Sequence, residues 1–261
     1  MNFLEINRRA WNLRTGAHID SEFYGNESFK RGRNSLNKFE LDLMGDIKGK
    51  DVLHLQCHFG QDSISMSRMG AKVTGVDLSD KAIEVARDLA KELNQDTRFF
   101  INDVMSFPDV HEEKYDIIFS TYGTIGWLPD MDEWAKMVKK FLKPGGKLYL
   151  VEFHPVVWMY DDAFKEITYS YFNRGANNDT EVGTYADNDS DIEYAYIDWN
   201  HPISDVVNGL IKAGMAIEVL NEYDHSPNPI FQNSVEFEPG KFRIGHVQDR
   251  VPLVYAIQAK A

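Results

Sequence analysis

His54, Gln56, Cys57, His58 and Gly60 crowd into one short run, Asp51-Val-Leu-His-Leu-Gln-Cys-His-Phe-Gly60, and Asp77 closes a second, Val73-Thr-Gly-Val-Asp77. The first run reads as a buried strand entering a tight turn, the second as a buried strand ending on a carboxylate. A turn that opens a helix beside an acidic strand end is how a doubly wound α/β fold builds a pocket for an adenosine-bearing cofactor. The carboxylate of Asp77 can accept both ribose hydroxyls. Asn102-Asp103-Val104 follows a third strand, where an acidic side chain can take the adenine amino group. Ligands sit beyond the carboxyl ends of such strands, so residues just after strands four and five face the reacting group. These are Ser120, Thr121, Tyr122 and Trp127 after the fourth, and His154 after the fifth.

The turn discriminates between cofactors. A GxGxxG turn uses its second glycine to admit a pyrophosphate and its third to let helix and strand pack closely. Here those positions hold Gln56, His58 and Gln61, and the shorter GxGxG spacing keeps Gly60 alone. Side chains at His58 and Phe59 crowd a pyrophosphate, which argues against nicotinamide and flavin dinucleotides. S-adenosylmethionine has no pyrophosphate and needs only the tight turn and the helix end. Each residue also has an ordinary reading. Asp77 suits a helix cap, Asp103 a loop, and Lys143-Pro-Gly-Gly146 a helix stop. The specificity lies in their order and placement.

The elements that must position these residues alternate. Short apolar strands at Val52–Leu55, Lys72–Val76, Phe99–Ile101, Tyr115–Ser120 and Lys147–Glu152 are separated by helical patterns. Ser79 or Asp80 caps the helix whose Ala82, Ile83, Ala86, Leu89, Ala90 and Leu93 share a face. Asp130 with Glu133 forms a capping box for the next. Such alternation predicts a mostly parallel, doubly wound sheet covered on both faces. Residues 153–199 break the pattern with eleven aromatics, and Ile192–Trp199 alternates as an antiparallel strand does. The Gly/Asn/Asp-rich stretch Asn173–Asp191 reads as a loop. Ser204 is expected to cap a helix ended by Gly214, with last strands at Ala216–Leu220 and Pro252–Gln258. The expected organisation is an N-terminal helical flap (1–50), a cofactor-binding core (51–155 and 201–261) and a small antiparallel, aromatic-rich cap inserted at 156–200. Trp11, Arg14 and Tyr24 are candidates for the flap's contact with the cofactor.

Composition narrows the partners. The chain of 261 residues has a net charge of -13 and no long Lys/Arg-rich run, which disfavours nucleic acid. A single cysteine, Cys57, excludes an intramolecular disulfide and any CxxC metal site. No apolar run approaches the ~20 residues of a membrane span, and the N-terminus lacks an apolar signal core. A cytoplasmic protein is the simplest expectation, with no metal; nothing sets an oligomeric state.

Taken together, the turn, Asp77, Asp103 and the KPGG turn before KLYLVE resemble the class I S-adenosylmethionine-dependent methyltransferases, of small-molecule type, over roughly residues 45–155. The resemblance implies a Rossmann-like seven-stranded sheet of order 3-2-1-4-5-7-6, with the last strand antiparallel between its neighbours. It implies S-adenosyl-L-methionine contacts at Gln56, Cys57, Gly60, Asp77, Leu78, Asp103, Val104 and Ser120. The chain departs from the family at His54, where an acidic residue is usual. Ser120-Thr-Tyr-Gly123 also differs from the Asn/Asp-Pro-Pro-Tyr/Phe tetrad of the amino-methylating nucleic-acid enzymes, which disfavours that class. His154 and Tyr122 are the catalytic candidates, and Trp127, Arg174 and Tyr185 the acceptor candidates. A lone His154 equally reads as structural, and His201 reads as a hydrogen bond at a helix entry. The expected function is methyl transfer to a small molecule, oxygen being slightly favoured as nucleophile. The alternatives are a non-catalytic S-adenosylmethionine-binding module and a nicotinamide-dependent oxidoreductase.

Overall fold

The computed structural model describes residues 2–187 and 190–261. Three helices come first, α1 (Phe3–Ile19), α2 (Asn26–Lys30) and α3 (Lys38–Met44). The alternating region follows as β1 (Asp51–Leu55), α4 (Gln61–Arg68), β2 (Lys72–Asp77), α5 (Asp80–Glu92), β3 (Arg98–Ile101), β4 (Tyr115–Thr121), α6 (Met131–Phe141) and β5 (Leu142–Phe153). Then come β6 (Asn177–Val182), β7 (Glu193–Asp198), α7 (Ile203–Lys212), β8 (Ala216–Tyr223), β9 (Ser234–Glu238), β10 (Lys241–Ile244) and β11 (Val254–Lys260).

Seven strands form one sheet in the order β3-β2-β1-β4-β5-β11-β8. All neighbours are parallel except β11, which runs antiparallel between β5 and β8. In chain order of the sheet strands this is 3-2-1-4-5-7-6, the expected topology. The sheet is buried on both faces because successive side chains alternate sides. Leu53, Leu55, Ile118, Leu148 and Leu150 pack with Trp134, Phe141 and Leu210 of α6 and α7. Val52, Ile117, Phe119 and Tyr149 pack on the other face with Met44 and Met66 of α3 and α4. α5 lays Ile83, Ala86, Leu89 and Ala90 beside Phe99 and Cys57.

Capping follows the sequence in two places and departs from it in a third. The Ser79 hydroxyl accepts the Ala82 N–H, and Asp130 accepts from the Asp132 and Glu133 amides. Ser204 does not cap α7: the helix begins at Ile203 behind Pro202, whose fixed φ suits a helix entry, and no side chain caps it. The Lys143–Gly146 turn falls inside the start of β5, between Leu142, paired with Tyr115, and Lys147, paired with Ile117. The polar stretch read as a loop contains β6, which pairs antiparallel with β7. A second hairpin, β9–β10, was not anticipated.

The N-terminal helix is bound to the β6–β7 hairpin. The Asn7 amide donates to the Ile197 carbonyl at 2.7 Å and accepts the Ile197 N–H at 2.8 Å, as a neighbouring strand would. Its other side meets α5, where Arg8 and Asn12 donate to Asp80 at 2.9 and 2.8 Å. No helix among the described residues is long and apolar enough to cross a membrane.

Candidate functional site

The turn after β1 repeats one backbone conformation at alternate residues. Gln56, His58 and Gly60 have φ of 51°, 49° and 81°. Left-handed backbone is where glycine is free and other residues are strained. The turn thus keeps the shape of a glycine-rich loop after two glycines have been replaced. Gly60 cannot be replaced in the same way, since a Cβ there would stand 2.7 Å from the Phe99 ring.

The two side chains finish the turn. The Gln56 amide donates to the Thr124 carbonyl at 2.8 Å, tying the turn to the loop after β4, and its buried Oε1 makes no hydrogen bond. His58 folds back so that Nδ1 accepts the Phe59 N–H at 2.8 Å. The His58 N–H itself goes to the Asp77 carboxylate at 2.8 Å. Two amides that a pyrophosphate would need are therefore taken.

Around this turn lies a cavity of about 680 Å³, within the range of small-molecule sites. Gln56, Cys57, Gly60, Asp77, Leu78, Asp103 and Val104 line it, as do Tyr122, Trp127 and Tyr185. Asp77, at the end of β2, also accepts the Ser79 N–H at 2.8 Å, and burial pushes its carboxyl up to about 6. Asp103 spends one oxygen on the Ser106 N–H. Trp127 is fixed by its indole N–H to the Gly123 carbonyl at 2.7 Å. The Tyr185 and Tyr24 hydroxyls meet at 2.5 Å.

Three expected site residues stand elsewhere. Ser120 turns to the Thr124 hydroxyl at 2.9 Å and does not line the cavity. His154 also lies outside the lining: Nδ1 accepts the Val156 N–H at 3.2 Å, so Nε2 carries the proton and donates to Glu222 at 2.9 Å. Both nitrogens are engaged, which leaves it no lone pair for a substrate proton. Arg174 lies in an exposed stretch over the Phe172 ring and does not reach the cavity. His201 donates to the Leu128 carbonyl at 2.7 Å, just ahead of α7.

Other residues organise the site, and His18, Glu40 and Glu152 among them carry no sequence signature. His58 Nε2 contacts His18 Nδ1 at 3.0 Å, and His18 Nε2 contacts the Thr184 hydroxyl at 2.6 Å. The Glu152 carboxylate, at the end of β5, gathers the loop after β4. It accepts from the Gly123, Thr124 and Ile125 amides and the Thr124 hydroxyl. Glu40 on α3 and the Tyr122 hydroxyl are buried against one another, and burial lifts the Glu40 carboxyl to about 7 while Tyr122 holds it back. Tyr122 sits at φ 49°, held where β4 opens into the cavity. Arg14 is buried, donates to Glu181 at 2.7 Å, and lies over the Trp11, Trp127, Tyr194 and Tyr196 rings. His54 is buried and neutral, its Nδ1 2.8 Å from the Ser63 hydroxyl, with burial lowering it to about 3.

Residues 52–146 match the family model described as a methyltransferase domain. Over that stretch, just over a third of its length, the chain is similar to methyltransferase domains. A ubiquinone biosynthesis O-methyltransferase of Shewanella pealeana is 31% identical over 119 residues, 44% of this chain and 50% of that one. A demethylmenaquinone methyltransferase of Lactococcus lactis is 30% identical over 130 residues, 48% of this chain and 51% of that one. The chain spans about half the length of the curated relatives it matches. An S-adenosylmethionine-dependent methyltransferase from Mesorhizobium loti shares the fold, with TM-score 0.58 and 19% identity over 89% of this chain and 100% of that one. The aligned methyltransferase domain runs from β1 into β5. It contains the turn, Asp77, Asp103 and Tyr122, but not Glu152, the N-terminal helices or the β6–β7 hairpin.

Proposed function

We propose that this protein transfers a methyl group from S-adenosyl-L-methionine to a small-molecule acceptor. One observation carries the reading. The left-handed turn, the Asp77 carboxylate and Asp103 open on a single cavity, while the Phe59 and His58 amides are spent on His58 and Asp77. That suits a nucleoside ligand without phosphates and disfavours a nicotinamide dinucleotide. Asp77 takes the ribose hydroxyls and Asp103 the adenine amino group, with Cys57, Gly60, Leu78 and Val104 shaping the wall. Where the family's acidic residue is replaced by His54, the unpartnered buried Oε1 of Gln56 accepts an N–H of the methionine ammonium.

The bound sulfonium supplies an activated methyl group for in-line displacement, which requires the nucleophile to be aligned and water kept out. The protein's part is enclosure. Residues 1–50 act as a flap, and residues 156–200 as a lid carrying aromatic side chains. Tyr122 and Trp127 face the reacting centre, and Tyr122 rather than His154 is the candidate for handling a proton. Oxygen is the favoured nucleophile, in keeping with the likeness to an O-methyltransferase.

Thermal unfolding with S-adenosylhomocysteine tests the reading. At ligand a hundredfold above its dissociation constant the stabilisation is about 2.7 kcal/mol, with none from NAD(P). No shift with S-adenosylhomocysteine overturns it.

A further inference from the structure

The β6–β7 hairpin turns one face to the cavity, and that face is acidic. In its antiparallel register Asn177, Asp179 and Glu181 stand beside Asp198, Tyr196 and Tyr194. Along β6 the three inward residues are partly buried and their neighbours exposed, so the inward set is fixed by the pleat. Asp179, Glu181, Tyr196 and Asp198 all line the cavity. Arg14 forms an ion pair with only one of these three carboxylates, Glu181, while its charge also favours the ionised form of Asp198. Asp179 and Asp198 form no ion pair among the described residues.

A cavity wall with two carboxylates outside any ion pair is costly, because burying a charge is unfavourable unless it is fully compensated. Burial raises the Asp198 carboxyl to about 6, and the Asp179 charge adds to the rise. The Oδ1 atom of Asp198 is fully buried without a hydrogen bond, while the Asn177 side chain steadies the ionised carboxylate. Tyr255 adds a second open position. It is wholly buried, lines the same cavity, and its hydroxyl has no hydrogen-bond partner. The rings of Trp127, Tyr169, Tyr196 and Trp199 line the same cavity. Trp127 and Tyr196 already hold one cation, with the Arg14 guanidinium carbon 5.1 and 5.7 Å from their centroids. Aromatic faces beside carboxylates favour cations and repel anions.

We propose that the inner face of the β6–β7 hairpin is a seat for a small organic cation, an ammonium-bearing molecule held by Asp179 and Asp198 between aromatic walls. On the methyltransferase reading above, that molecule is the methyl acceptor, and the cation is its anchor whether oxygen or another atom is methylated. A carboxylate-bearing acceptor of the same size is excluded by the two acids.

The test uses three probes that share a ring and differ in charge: benzylamine, benzyl alcohol and benzoate. Their binding is measured by titration calorimetry on the full chain, with and without saturating S-adenosylhomocysteine. Benzylamine is expected to bind at least about tenfold more tightly than the alcohol, a difference that shrinks with added salt. Benzoate is expected not to bind. Asp198→Asn and Asp179→Asn should each weaken benzylamine severalfold and leave benzyl alcohol unchanged. Equal binding of the three, a preference for benzoate, no binding by any probe, or full retention of the preference in both variants overturns the cation seat. Titration without S-adenosylhomocysteine keeps the two readings apart: a failed cofactor shift with a persistent benzylamine preference sinks the methyltransferase and leaves the seat standing.

Discussion

His58 Nε2 lies 3.0 Å from His18 Nδ1, and the proton between them belongs to His58. Because His58 Nδ1 accepts the Phe59 N–H, its proton must sit on Nε2. His18 then accepts at Nδ1 and donates from Nε2 to Thr184. Both rings are neutral, with burial lowering His58 to about 3 and His18 to about 2. One directed chain of hydrogen bonds thus joins the cofactor turn, the N-terminal helix and the segment after β6.

Removing its middle member should be felt at both ends. His18→Ala strands the His58 Nε2–H in a buried site, at a cost of about 1–3 kcal/mol. Urea unfolding monitored by far-UV circular dichroism measures it. An unchanged midpoint shows that the chain does not form.

His54 makes stability depend on acid. Its pKa falls from 6.5 to about 3 on folding, so between those values the unfolded chain binds the extra proton. The associated stability is complete above pH 6.5 and is lost as pH falls toward 3, by up to roughly 5 kcal/mol. His54→Gln should flatten the stability profile across that window. A parallel profile in the two proteins refutes the assignment.

Glu40 acts with the opposite sign. Its pKa rises from 4.5 to about 7, so the folded chain holds the extra proton between these values and stability declines as pH rises through them. Glu40→Gln carries no charge to bury. It should be more stable than the parent above pH 7, by up to roughly 3 kcal/mol, and the two should converge below pH 4.5. Denaturant midpoints at pH 5 and 8 decide it, and a variant less stable at pH 8 contradicts the prediction.

Asp77 has two jobs that different substitutions separate. Its carboxylate takes the His58 and Ser79 amides, so Asp77→Ala strands two donors and should lower stability by about 1–3 kcal/mol for each. Asp77→Asn keeps one acceptor oxygen and most of the fold. It should weaken S-adenosylhomocysteine about tenfold, because a hydrogen bond to a charged group is roughly twice as strong as a neutral one. Undiminished affinity in the Asn variant returns Asp77 to a purely structural role.

Glu152→Gln should disturb the loop after β4 rather than the sheet. A glutamine places an NH2 group against the donors of Gly123 and Thr124, so one of the contacts becomes repulsive. A loss of about 2–3 kcal/mol is expected, together with a raised KM for the methyl donor. A change in kcat alone, with stability and KM intact, assigns Glu152 a role in chemistry instead.

Much of the fold was legible because its signals are local. Apolar runs at β1, β2 and β4 and the caps at Ser79 and Asp130 needed no tertiary information. β6 was not legible: Asn-Asn-Asp-Thr-Glu-Val lacks β-propensity, and it is a strand through its backbone pairing with β7. Asp77 and Asp103 could be placed by position, since strand ends define the pocket in this architecture. Glu152 and His18 could not, because their roles depend on partners 27 or more residues away, nor could Glu40, whose behaviour comes from its burial. His154 misled for the converse reason: its position after β5 was as expected, but the local turn captured one nitrogen and β8 the other.

The bonds of Asn7 to Ile197 and of His18 to Thr184 close loops of 190 and 166 residues. Such contacts form late in folding, because closing a long loop costs entropy before any contact repays it. The central sheet assembles from nearer partners and is in place first. The roof of the cavity is therefore the last part of the molecule to become native and, with few buried apolar side chains on β6, the first to open.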